Sequence, residues 1–87
     1  MNKQIQDHFY QLVKDMNFDA PYGVLTSQGT SKNGRKYHSV IFGRARTLDA
    51  SINIFGEKFI QIRTSRYGLQ AQVFRSIKEA EEFITQL

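Results

Sequence analysis

Cysteine and tryptophan are absent from these 87 residues, and proline occurs once. Without cysteine the chain has no disulfide framework, no thiol nucleophile and no zinc–thiolate site. That absence suits a reducing compartment, and the expected location is the cytoplasm. No apolar run approaches the length of a membrane span, and Met1-Asn2-Lys3-Gln4 leads into a polar-patterned segment rather than a signal peptide. No membrane partner is expected. No His, Cys and carboxylate cluster points to a metal, and no cofactor motif is complete: Gly29 to Gly34 has phosphate-loop spacing, but Arg35-Lys36 follows where Lys-Ser/Thr is required.

Acidic residues are scarce where basic ones are dense. Residues 21–76 hold nine Lys and Arg against only Asp49 and Glu57, whereas residues 1–20 and 77–87 are each mildly acidic, within a chain of net charge +4. A basic middle between acidic ends is the distribution of a domain whose one layer meets a polyanion while the other faces water. At 87 residues, 40% hydrophobic and 13% aromatic, the chain reads as one folded domain spanning 1–87. A core this small makes a homodimer a reasonable route to extra stability.

Hydrophobic periodicity divides the chain in three. Ile5, Phe9, Leu12, Val13 and Met16 recur at helical spacing, which predicts an amphipathic helix from Asn2 to about Asn17, ended by Pro21 and Gly23. Ser76 with Glu79 forms a capping-box pattern, and Ile77, Ala80, Phe83, Ile84 and Leu87 make one apolar face of a closing helix. Between the helices the period is two. Asn33-Gly34 signals a type I′ hairpin, which sets Leu25 opposite Phe42, Ser27 opposite Val40, Gln28 opposite Ser39 and Thr30 opposite Tyr37. Aligning the aliphatic residues then sets Ile52 and Ile54 against Ile62 and Ile60, with Gly56-Glu57-Lys58 as a three-residue loop. The same rule sets Ile60 and Ile62 against Val73 and Ala71, with Ser65-Arg66-Tyr67-Gly68 as a four-residue loop. The expected fold is a two-layer α+β domain: N-terminal helix, five-stranded antiparallel meander, C-terminal helix.

That register predicts a second sheet face with Phe55, Phe59 and Phe74 in one row, Asn53, Gln61 and Gln72 in the next, and Ser51, Arg63 and Gln70 in the third. Aromatic rings beside amides and an arginine resemble in kind the platforms on which single-stranded bases stack. Three phenylalanines in a row are nevertheless more often core or a dimer interface, and that is the preferred reading of this row. The basic loops are the stronger candidates. Lys32, Arg35 and Lys36 at the hairpin tip, Arg44 and Arg46, Arg63, and Arg66 supply guanidinium and ammonium groups for phosphates, with Tyr37 or Tyr67 stacking on a base. Acid–base cleavage by His38 lacks a second histidine or carboxylate at a matching position, since His8 lies in the first helix, so no catalytic residue is assigned.

Small size, absence of cysteine and the basic segments Ser31-Lys32-Asn33-Gly34-Arg35-Lys36-Tyr37 and Arg63-Thr64-Ser65-Arg66-Tyr67 resemble the small accessory, anti-defence proteins of T-even-type phages. The resemblance covers the whole chain and implies a non-catalytic, RNA-binding, dimeric inhibitor of a host endoribonuclease toxin, working in the host cytoplasm. Helix–meander–helix order is shared in part with the double-stranded RNA-binding domain, but the acidic start of the last helix, Lys78-Glu79-Ala80-Glu81-Glu82, rejects that match.

The sequence therefore leads to a non-enzymatic RNA-binding protein. Basic contacts alone do not separate RNA from DNA. The alternative is an anti-defence protein that docks its basic face on an acidic protein partner, such as a toxin or nuclease. On the loop assignment, replacing Arg44 and Arg46 together by Ala is expected to weaken RNA binding without unfolding the chain. Intact affinity of that double variant for a labelled RNA would overturn it.

Overall fold

A computed structural model describes residues 2–18, 23–44, 47–68 and 70–87. The helical spacing read at the N-terminus forms α1 (Asn2–Asp15), which buries Ile5, Gln6, Phe9 and Val13. The stop comes earlier than Pro21, which lies outside the described residues. Asn17 takes a left-handed conformation at φ 62°. Its N–H donates to the Lys14 carbonyl (3.0 Å), and the Phe18 N–H donates to the Val13 carbonyl (3.5 Å). This is a Schellman closure: asparagine tolerates the left-handed well, and the residue after it folds back on the last turn. Phe18 and Val13 are accordingly both buried in the core.

The closing helix is α2 (Ile77–Thr85), capped as its sequence predicts by Ser76, whose Oγ accepts from the Glu79 N–H at 3.1 Å. The return arm reaches one residue further than a capping box requires, to the Arg75 N–H at 3.4 Å. Ala80 and Ile84 are buried, and Ile77, Phe83 and Leu87 pack against the core edge.

Five strands lie between the helices: β1 (Leu25–Thr30), β2 (Lys36–Arg44), β3 (Leu48–Gly56), β4 (Phe59–Thr64) and β5 (Gln72–Phe74), with a 3₁₀ turn at Ser65–Tyr67. They form one antiparallel sheet in sequence order. The fold is α+β in two layers. Helix α1 lies on β1, β2 and β3, and α2 on β4 and β5. Both cover the same face, because their buried residues join Val40, Phe42, Ile52, Ile54, Ile60 and Ile62 in one core. Among the described residues no helix is long and apolar enough to cross a membrane.

The central register is as the aliphatic rule sets it, with Ile52 opposite Ile62 and Ile54 opposite Ile60. The loop is tighter than three residues. Gly56 pairs with Phe59 around Glu57 and Lys58, and a bulge between Ile54 and Gly56 absorbs the extra residue.

The flanking registers each differ by one residue from the sequence expectation. In the first hairpin Leu25 pairs with Ile41, Ser27 with Ser39 and Gly29 with Tyr37, because the turn is not type I′. Gly34 is left-handed at φ 81°, but Asn33 is not among the described positive-φ residues. The Gly34 N–H donates to the Ser31 carbonyl (2.9 Å), and the Ser31 N–H donates to the Arg35 carbonyl (2.8 Å). That is a three-residue loop ending in a left-handed glycine, the next commonest hairpin connection. Leu25 and Ile41 consequently remain 42% and 38% exposed on the face away from the helices. Val24 packs against the core in place of Leu25.

In the last hairpin Ile60 pairs with Phe74 and Ile62 with Gln72, so Val73 turns outward and is 42% exposed. Phe74 instead meets Phe83 of α2 at a centroid distance of 5.0 Å. A ring buried against a ring outweighs alignment of the smaller valine with the isoleucines.

Where β2 turns into β3, Gly43 faces Asp49, and a Cβ at Gly43 would run into the Leu48 carbonyl oxygen, a main-chain atom with no rotamer to change. Gly43→Ala is therefore expected to lower the unfolding free energy by about 1–3 kcal/mol, read as a lower midpoint in urea followed by circular dichroism. A midpoint equal to that of the parent chain would show that the turn has room to yield.

Candidate nucleic-acid interface

Alternation along the strands leaves the odd-numbered positions of β1 to β4 on the face that neither helix covers, and the registers align them in rows. Gly29 faces Tyr37 by register, and the row continues through ring contacts of Phe55, the residue within the bulge, with Tyr37 and Phe59. Ser27, Ser39, Asn53, Gln61 and Val73 form the next, and Leu25, Ile41, Ser51 and Arg63 the third. The sequence expectation of aromatics beside amides and an arginine thus holds in kind, with changed membership. Phe74 and Gln72 belong to the helix side, and Gln70 lies outside β5.

The aromatic row is continuous. Ring centroids of Tyr37 and Phe55 lie 5.0 Å apart and those of Phe55 and Phe59 5.1 Å apart, with tilts of 40° and 39°. Cations lie over it. The Arg35 guanidinium is 5.3 Å from the Phe55 centroid and 4.9 Å from that of Phe59, and the Arg75 guanidinium is 5.3 Å from Phe59. These are cation–π distances. The rings are half-buried, neither core nor enclosed between the layers.

In the row beneath, the Ser39 hydroxyl donates to Asn53 Oδ1 at 2.7 Å. With Oδ1 engaged, Asn53 offers Nδ2 as a donor. A cleft of about 540 Å³ runs along both rows, lined by Ser31, Lys32, Tyr37, Asn53, Phe55, Gln61 and Arg63. Behind β1 and β2, the buried Gln6 of α1 donates from Nε2 to the Ser27 and Ser39 carbonyls (3.1 and 3.0 Å), which fixes the sheet edge against the helix.

The cations and rings singled out in the sequence divide between two places. Lys32, Arg35, Tyr37 and Arg63 gather at the open face. Lys36 pairs with Thr30 and projects, by register, on the helix side. Arg44, Arg66 and Tyr67 are at the opposite side of the molecule, against the end of α2. Arg44 stacks on Phe18 at 4.4 Å and donates from Nη1 to the Leu87 main-chain oxygen at 3.2 Å. Arg66 reaches the Gln86 carbonyl at 3.5 Å, and Tyr67 packs on Phe83 at 5.7 Å. The two guanidinium groups meet carbonyl groups at a helix C-terminus, where cations are favoured. Arg44 is thus a clasp between the end of α1 and the end of α2 rather than a loop cation. Arg46, its companion in the sequence expectation, lies outside the described residues. His38 faces the helix side opposite Ile54, on the other side of the sheet from Arg63.

No protein-family model, curated protein or solved structure matches the chain.

Two residues of the open face escaped the sequence reading. Arg75 falls next to Phe59 only when β4 and β5 pair in their true register. Gly29 lies under the Tyr37 ring: a Cβ there would sit 2.6 Å from Tyr37 Oη. The signal for Gly29 was a glycine inside a strand, which marks close approach of another group.

The two classes of arginine predict opposite behaviour. Arg44→Ala is expected to cost about 1–2 kcal/mol of stability through the lost clasp and to leave nucleic-acid affinity unchanged in the folded protein. Arg35→Ala is expected to alter the urea midpoint little. Equal midpoints for the two variants would remove the clasp assignment.

Proposed function

We propose that this chain is a non-enzymatic RNA-binding protein that offers the uncovered face of its sheet and the basic loops around it. The observation that carries the proposal is the segregation of charge between the two layers. Among the described residues the strands and their connections hold eight Lys and Arg against Asp49 and Glu57, net +6, while the two helices hold three against five acids, net −2. Charge sorted this way makes the sheet layer positive and the helix layer negative, and although Lys36, Arg44 and Arg66 point elsewhere, the cations at the open face draw a polyanion toward it. Lys32, Arg35, Arg63 and Arg75 stand within or around the open face, spaced across strands so that successive phosphates meet separate cations. Arginine is suited to this task because its planar guanidinium grips phosphate oxygens in pairs.

The resemblance to phage anti-defence proteins supplies the biological setting we assign: an inhibitor that binds RNA to oppose a host endoribonuclease toxin. Contacts to phosphate position the RNA, and Asn53, oriented by the buried Ser39 hydroxyl, and Gln61 offer groups to base edges or 2′-hydroxyls.

Titration into a labelled RNA at several salt concentrations, followed by anisotropy, tests the proposal. Four phosphate contacts predict a slope of log K against log salt of roughly −3 for a single strand. Arg35→Ala is expected to reduce that slope by about one contact. Absence of binding at low salt would end the RNA proposal and turn the basic face toward an acidic protein partner.

A further inference from the structure

We propose that the Tyr37–Phe55–Phe59 row is a stacking platform for unpaired bases, so that the RNA held by this chain is single-stranded where it touches the sheet. The inference rests on the RNA-binding function proposed above and specifies the form of RNA that the face accepts.

The row has the dimensions for it. Strands in a sheet are about 4.8 Å apart, and the three rings follow that spacing at 5.0 and 5.1 Å. They stand on three adjacent strands in a line. Mutual tilts near 40° keep the rings from closing on one another, so faces remain available beneath the arginines. Base–aromatic stacking is indifferent to base identity, because every base has a π-face.

Arg35 and Arg75 then serve a second purpose. A guanidinium over a ring lies within one nucleotide's reach of the phosphate attached to a base on that ring. In the free protein it covers the aromatic surface, and on binding it exchanges the ring face for the phosphate oxygens. Asn53 Nδ2 and Gln61, one row below and lining the same cleft, stand at the edge of a stacked base.

Gly29 is the independent observation. Its φ is not positive, so no turn or left-handed backbone demands a glycine, and glycine weakens a strand. What demands it is the Tyr37 ring lying across the strand, since a Cβ would come within 2.6 Å of Tyr37 Oη and 2.7 Å of Cζ. The edge strand gives up a side chain to seat a ring that belongs to no core. A duplex has no use for this arrangement, because its base faces are already stacked inside the helix.

The experiment compares an unstructured labelled single-stranded RNA with a duplex of the same length, bound by the parent protein, by Phe55→Leu with Phe59→Leu, and by Gly29→Ala. Leucine keeps apolar bulk and removes the π-face, and circular dichroism confirms that each variant is folded. The expected result is a preference for the single strand of about tenfold or more. The leucine pair is expected to lose about tenfold or more on the single strand at an unchanged salt slope, since no phosphate contact is removed. A 2-aminopurine placed in the strand is expected to change its fluorescence with the parent protein and not with the leucine pair. Gly29→Ala, which displaces Tyr37 while keeping both phenylalanines, is expected to weaken the single strand alone and serves as the readout if the leucine pair fails to fold. Equal affinity for duplex and single strand, or an undiminished single-strand affinity in both variants, would overturn the platform and leave RNA binding standing. Failure of the parent protein to bind either RNA at low salt would remove both.

Discussion

Everything in this molecule depends on four isoleucines on two neighbouring strands. Ile52 and Ile54 face Ile62 and Ile60, and all four are fully buried. Burying an isoleucine is worth about 1.5–3 kcal/mol, so the block contributes a gross term comparable to the whole net stability of a small domain. Its directional consequence matters more. Side chains alternate along a strand, so sending these four to the helices sends Asn53, Phe55, Phe59 and Gln61 the other way. The core decides the parity of β3 and β4, and parity decides which side chains form the uncovered face.

The same dependence explains what was legible in the sequence. Element order and the β3–β4 register could be read, because aliphatic residues on both strands leave one alignment that buries them all. Ser76 as helix cap was equally plain, since its side chain acts within three residues. The outer registers were not legible from matching aliphatics. In the first hairpin an Asn-Gly pair serves two turn geometries that differ by one residue, and the choice rests on whether Asn33 takes positive φ. In the last, Phe74 is drawn inward by Phe83, a contact some nine residues along the chain and across layers. A one-residue slip moves every side chain to the opposite face. That slip placed Phe74 in the aromatic row and hid Arg75 from it. The extent of α1, to about Asn17, was legible, but its stop was read at Pro21, because proline is a conspicuous breaker whereas Asn17 acts through a backbone conformation completed by Phe18.

The cations were found by sequence and sorted by structure. A regional excess of basic residues is a sum, and sums do not say which side chain is already engaged. Arg44 and Arg66 belong to the same basic middle as Arg35 and Arg63. Their long stems instead reach the carbonyl groups at the end of α2, an acidic helix whose C-terminus attracts positive charge. Nothing in the spacing of Arg44-Ala45-Arg46 separates a clasp from a loop cation. The distinction follows from β2 and β3 closing at Gly43, which brings the strand end beneath Phe18.

A division of labour between strand-borne rings and loop-borne cations follows from this layout. Tyr37, Phe55 and Phe59 stand on the central strands, held from behind by the isoleucine block and by Gln6, which pins the paired carbonyls of β1 and β2. A surface anchored in that way is organised before a ligand arrives, which lowers the ordering cost of binding. Lys32 and Arg35 sit on the exposed hairpin loop, with Arg35 laid over Phe55 and Phe59. The contact Arg35 makes with the rings is a weak one, about 0.5–1 kcal/mol at an exposed site. A charge-assisted bond to phosphate is roughly twice as strong as a neutral hydrogen bond, so the exchange is favourable. Weak attachment keeps the guanidinium over the rings in the free state, and in the proposed complex it yields when a phosphate takes its place.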